Sequence, residues 1–172
     1  MTALPRLLAA VAGSTLLLAS SAGAAPVAAT KDAAGKAAIL KSLSLLKTAD
    51  LDFGEIIVAG AGTAVINPVS GATTITGPIT PAGTPGHPAS FTATGSRNSV
   101  VNIRLPSGAV TLTRVGGGGT MTVSNWTLDG NTNRKIPLNN AFNFNVGGTL
   151  NVGAAQPDGT YTGTFTVTVQ YP

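Results

Sequence analysis

The sequence has no cysteine, which removes disulfides, thiolate nucleophiles and cysteine-ligated zinc from consideration. A domain of ordinary size folds outside the cell without disulfides, so the absence does not exclude export. Charge is scarce too: 9% of residues are Asp, Glu, Lys or Arg, against roughly a quarter in an average globular chain. Ten cations and six carboxylates give a formal net charge of +4, to which Arg6 contributes one. Arg97, Arg104, Arg114, Arg134 and Lys135 are scattered, with few aromatics among them, so no nucleic-acid interface is expected. The one histidine, His87, sits in Thr84-Pro85-Gly86-His87-Pro88, and no Gly-x-Ser-x-Gly elbow accompanies it. Any serine triad would have to use that histidine, whose neighbours read as a solvated loop. No paired acid and base emerges elsewhere, so neither an enzyme nor a cofactor or metal is expected.

Hydrophobic residues make up 43% of the 172, enough for one domain with a buried core. Thr, Asn and Ser fill the polar positions, and 22 Gly and 11 Pro are spread along the chain as in a fold of short strands and tight turns. Residues 1–24 read as a secretory signal peptide: Arg6 is the cationic start, 7–19 the apolar run, and Ala22-Gly23-Ala24 the cleavage motif. That run is too short for a membrane span of about 20 residues, and no second long apolar run follows, so no stable membrane span is expected. The protein is therefore expected to be secreted, passing the periplasm to the cell surface or beyond.

Residues 25–36 form a small, Ala-rich extension, and 37–172 read as a single β domain. The segment 37–46 has helical propensity, but its alternation, continued by Leu51 and Phe53, favours a strand. Strands are expected at 55–58, 63–66, 73–76, 91–94, 100–105, 110–115, 120–128, 141–146 and 149–152. Asn67-Pro68-Val69-Ser70-Gly71 reads as a hairpin loop, and Gly147-Gly148 as a two-residue hairpin turn. Residues 77–88, with four prolines, read as an irregular excursion. The strongest pattern closes the sequence. Tyr161, Gly163, Phe165, Val167, Val169 and Tyr171 hold one parity and Thr160, Thr162, Thr164, Thr166, Thr168 and Gln170 the other, which predicts one strand with an apolar and a hydroxyl-rich face. The sequence stops at Pro172, directly after that strand.

Other constellations read blandly. Asp50, Asp52 and Glu55 cluster locally, but their spacing matches no calcium loop, and they read as solvated charges. Residues 116–119 are all glycine and lack the Lys-Ser/Thr of a phosphate cradle, which makes them a hairpin tip. Asn125-Trp126-Thr127 fits a glycosylation triplet of the kind that recurs by chance, and Trp126 and Phe144 read as core.

Taken together, Lys47-Thr48-Ala49-Asp50-Leu51-Asp52-Phe53-Gly54, Pro68-Val69-Ser70-Gly71, Phe91-Thr92-Ala93-Thr94-Gly95, Val146-Gly147-Gly148-Thr149-Leu150 and the 159–171 stretch resemble a family of secreted proteobacterial domains of unknown function. That family is similar in turn to chaperone–usher pilin subunits and spore-coat-protein-U-type domains. The resemblance implies an immunoglobulin-like, pilin-like antiparallel β-sandwich of about 8–10 short strands and a role as structural subunit of a surface fibre or coat. It implies self-assembly by strand exchange, with a periplasmic chaperone and an outer-membrane usher as partners. Tyr161, Phe165, Val167, Val169 and Tyr171 would form the chaperone or assembly strand, and Val27, Ala29, Ala33, Ala37 and Ile39 the donor. The alternative is a self-contained secreted sandwich that binds a surface glycan or protein through loops such as 77–88. On either reading the leader is removed, so N-terminal sequencing of the exported protein from a Gram-negative host is expected to begin Ala25-Pro26-Val27. Exported protein still starting at Met1 would refute the cleavage.

Overall fold

Alternating residues send successive side chains to opposite faces of a strand. In the computed structural model, which describes residues 30–172, β6 (Ala89–Thr94) shows the result: Ala89, Phe91 and Ala93 are buried, while Ser90, Thr92 and Thr94 are not. The chain divides into two units, Met1–Ala37 and Ala38–Pro172. Of the first, residues 30–37 are exposed and lie in no strand. The second is an all-β antiparallel sandwich.

The twelve-residue strand β11 (Ala141–Val152) lies at its centre. One edge pairs first with β6 and then, end to end, with β3 (Gly62–Ile66); the other pairs with β9 (Thr120–Leu128). The sheet extends from β6 to β1 (Ser44–Ala49), from β3 to β4 (Thr73–Thr76), and from β9 through β8 (Val110–Arg114) to β12 (Tyr161–Thr162). Two smaller sheets cover its inner face. In one, β7 (Val100–Arg104) pairs with β10 (Asn133–Lys135) and β13 (Thr168–Gln170); in the other, β2 (Asp52–Val58) pairs with β5 (Ile79–His87). Phe53 and Ile79 from the β2–β5 pair pack with Ala64, Ile66, Val123 and Leu150, and Ile103 of β7 packs with Phe91, Phe144 and Val146. Phe91 and Phe144 stack with ring centroids 5.3 Å apart. Each such side chain, fully buried, contributes roughly 1.5–3 kcal/mol.

Two local devices keep the large sheet in register. Asn125, at φ 48°, forms a bulge in β9, so that Thr149 pairs with Ser124 and Gly147 with Thr127. The extra residue lets Val123 and Trp126, three apart, both face the core. Gly147 is the second device: a Cβ there would strike the Ile66 carbonyl and lie 2.9 Å from Pro68 Cδ.

The alternation-based strands at 63–66, 73–76 and 120–128 match β3, β4 and β9, and 116–119 forms the β8–β9 tip. Other expectations are corrected. Residues 37–43 lie in no strand, because the ladder's first pair is Ser44 with Thr94 and the chain of β6 turns away at Gly95. Gly147-Gly148 is not a turn; β11 runs straight through it, the glycines giving close approach rather than reversal. Residues 77–88, expected to be irregular, contain β5. It pairs in a ladder only with β2, so alternate positions need no N–H and Pro81 and Pro85 are tolerated. Gly83 and Thr84 are extra residues between the pairs Gly54–Pro85 and Glu55–Ala82. The expected single strand over 161–171 is two short ones: β12 pairs with β8, β13 pairs with β7, and residues 163–167 cross between sheets outside any ladder.

Strand β10 (Asn-Arg-Lys) has no apolar alternation and is held by charge instead. Arg134 Nη2 donates to Asp129 Oδ1, the Asn145 amide donates to Asp129 Oδ2 at 2.9 Å, and Arg134 Nε donates to the Asn131 carbonyl at 3.1 Å. Both ionic side chains are less than a fifth exposed, and the guanidinium stands 5.8 Å from the Phe144 ring centroid. Removing one partner strands the other charge, so Asp129→Ala is expected to lower stability by about 2–4 kcal/mol in urea unfolding. An unchanged midpoint would show that the pair holds nothing in place.

Candidate functional site

The inner layer of the sandwich is interrupted. The β2–β5 pair and the β10–β7–β13 sheet share no ladder, and beside β2 a cleft of about 880 Å³ opens toward the edge of the large sheet. One wall is β2, from Asp52 to Val58; the other is residues 159–165. Among the described residues, each wall pairs in a ladder on one edge only: β2 with β5, β12 with β8. The floor is core. Leu112 from β8, Met121 and Val123 from β9, and Leu150 and Val152 from β11 line it, with Trp126 against Phe165 at 4.6 Å between centroids. Ile56, Val58, Val110, Leu112, Met121, Trp126 and Phe165 are only half-buried, although all lie on the face whose neighbours are fully buried.

The walls run in opposite senses. Through the ladders β6–β11–β9–β8–β12, β12 runs the same way as β6, whereas β1, which continues into β2, runs opposite to β6. A strand laid in the cleft is therefore parallel to one wall and antiparallel to the other. It would find unpaired N–H and C=O groups on both sides, the usual condition for strand addition at a sheet edge.

The residues expected for assembly separate here. Tyr161 and Phe165 line the cleft. Gly163 between them crosses close to β8, where a Cβ would lie 2.6 Å from the Thr111 carbonyl oxygen. Val167 and Val169 do not line the cleft; they pack into the domain's own core beside Ile103 and Phe144. Tyr171 lies near the start of β1. Its hydroxyl accepts from the Ser96 amide and donates to the Lys41 carbonyl, both at 2.8 Å, and the Lys41 amide donates to Ser96 Oγ at 2.6 Å. These bonds pin the backbone at Lys41. Of the expected donor residues, Ala33, Ala37 and Ile39 are exposed and in no strand, Ile39 at 97% exposure, while Val27 and Ala29 lie outside the described residues.

The chain belongs to the family described as Domain of unknown function (DUF4402). The family's model matches residues 43–171, which include both walls and the floor of the cleft. No curated protein and no solved structure matches the chain.

His87 is exposed, opposite Asp52 in the β2–β5 ladder, and Asp50 pairs with Lys47. Trp126 donates its indole N–H to the Gly108 carbonyl at 2.9 Å. The floor residues Leu112 and Met121 were not singled out from sequence. Their alternation with threonines identifies an inward face, but not that the face lies under a gap. Because Leu112 is only half-buried, Leu112→Ala is expected to cost the isolated domain about 1 kcal/mol, against about 2–5 for the fully buried Ile66→Ala. Equal losses in thermal or urea unfolding would mean that the cleft is closed in solution.

Proposed function

We propose that this chain is a secreted structural subunit of a bacterial surface fibre or coat, pilin-like in organisation, that completes its sandwich with a strand from a second copy. The observation that carries the reading is the gap between β2 and residues 159–165: two free strand edges over an apolar floor. Backbone hydrogen bonds to the two edges supply affinity, and alternate side chains entering the floor set the register. The donor is the N-terminal extension, with Ala33, Ala37 and Ile39 directed inward and Val27 and Ala29 continuing the same parity. Their exposure and lack of ladder partners support that role. On this reading the inner layer is an immunoglobulin-like sheet short of one strand. A periplasmic chaperone covers the cleft during transit, and an outer-membrane usher directs the exchange. The leader provides export.

The test uses the mature chain, residues 25–172, and the same chain without residues 25–40. The full chain is expected to form polymers visible by electron microscopy and size exclusion, and the shortened chain to stay monomeric. A peptide of residues 25–40 should raise the melting temperature of the shortened chain. A full-length chain that stays monomeric, melts reversibly and matches the shortened chain in stability would exclude strand exchange.

A further inference from the structure

Two carboxylates on the first wall of the cleft have no ionic partner. Asp52 and Glu55 are exposed, and among the described residues the ion pairs are Lys47–Asp50 and Arg134–Asp129. The Gly54 amide donates to Asp52 Oδ1 at 2.8 Å, which holds that carboxylate at the start of β2. His87 is opposite Asp52 in the ladder. Three of the chain's six carboxylates thus fall within residues 50–55, at the end of the wall where β2 begins, while Ile56 and Val58 occupy the other end.

The extension has the opposite charge. Over residues 30–40 it carries Lys31 and Lys36 against Asp32, a net charge of +1 (two minus one), and all three are exposed. The backbone pinning at Lys41 leaves Lys31 and Lys36 on the free portion. Lys31 and Lys36 are five positions apart, so in an extended strand they lie on opposite faces about 17 Å apart. Lys36 projects outward on the side of the exposed carboxylates, whereas Lys31 shares the parity of Ala33 and Ile39 and, entering at the acidic end of the cleft, reaches the carboxylates along its flexible stem.

Resting on the strand-exchange reading, we propose that Asp52 and Glu55 of the accepting subunit recognise Lys31 and Lys36 of the arm of a second copy. With the lysine end at the start of β2, Ile39 falls toward Val58. The arm then runs parallel to β2 and antiparallel to residues 159–165. A chain's own arm, rooted at Lys41 ahead of β1, would enter with the reverse sense and bring Ile39 to the acidic end. Charge thus selects the second copy over self-insertion and steers its approach.

The proposal is tested on the mature chain by following polymer growth with light scattering. Growth is expected to slow about tenfold between 50 and 500 mM NaCl, as for steered association. Asp52→Lys with Glu55→Lys should slow growth at low salt about tenfold, and adding Lys31→Glu with Lys36→Glu in the same chain should restore the rate to within about threefold. Asp52→Asn with Glu55→Gln retains an acceptor at residue 52 and should flatten the salt dependence without loss of fold by circular dichroism. Polymers that grow at the parental rate with the charges reversed, or that the compensating pair fails to rescue, overturn the charge proposal and leave strand exchange standing. No polymer from the parent at any salt concentration overturns both.

Discussion

The structure depends on one strand serving three neighbours. β11 carries β6 and β3 end to end along one edge and β9 along the other, so its register sets that of the whole large sheet. The arrangement needs a residue without a Cβ where β6 hands over to β3, and Gly147 occupies that position against the Ile66 carbonyl. On the opposite edge the Asn125 bulge absorbs one residue, keeping Val123 and Trp126 inward together. A larger side chain at 147 would part β11 from β3 and disturb the floor from below. The shape of the cleft is thus a property of the large sheet more than of the loops around it.

The inner layer has the complementary constraint. Its two sheets bury Phe53, Ile79, Val101 and Ile103, but the side chains between them remain half-buried. A domain with free strand edges beside an apolar floor is liable to association, because such edges template pairing with other chains. Natural sheets usually blunt such edges with charge, proline or cover. β5 carries prolines on its side of the pair, whereas β2 carries Asp52 and Glu55. Carboxylates on a strand edge repel copies of themselves and admit cationic strands, which restricts what the gap can take.

Much of this was legible in the sequence where one physical rule dominated. Alternation marked the apolar parity of 161–171, and Tyr161, Phe165, Val167, Val169 and Tyr171 on that parity are half-buried while the threonines between them are exposed. Asn67 and Gly71 bracket the expected β3–β4 loop, with the Val69 and Ser70 amides donating to Asn67 Oδ1. Legibility failed where tertiary context reverses a local preference. Proline argues against a strand until the strand is known to pair on one edge only, as β5 does. Gly-Gly argues for a turn until another backbone is known to approach, as Ile66 does at Gly147. The cleft was the least legible feature, because Leu112 and Met121 read as ordinary inward residues whether or not anything covers them.

The segment 159–171 joins these threads. Its first half is a wall of the cleft, its middle crosses to the inner layer, and Tyr171 fastens to the backbone at Lys41, where the free arm begins. One stretch of chain therefore lines the proposed accepting site and anchors the proposed donating arm, at opposite ends of its length. On the proposed parity the arm would direct Lys31, Ala33, Gly35 and Ala37 inward before Ile39, mostly small residues that bury little apolar surface each. In the proposed assembly the backbone bonds to two strand edges then carry most of the affinity. Those bonds are indifferent to side-chain identity, which leaves choice of partner and direction to the few groups that differ from one end of the cleft to the other. Asp52 and Glu55 at one end and Val58 at the other are such groups, so specificity in this subunit is expected to reside in charge and attachment rather than in a deeply fitted plug.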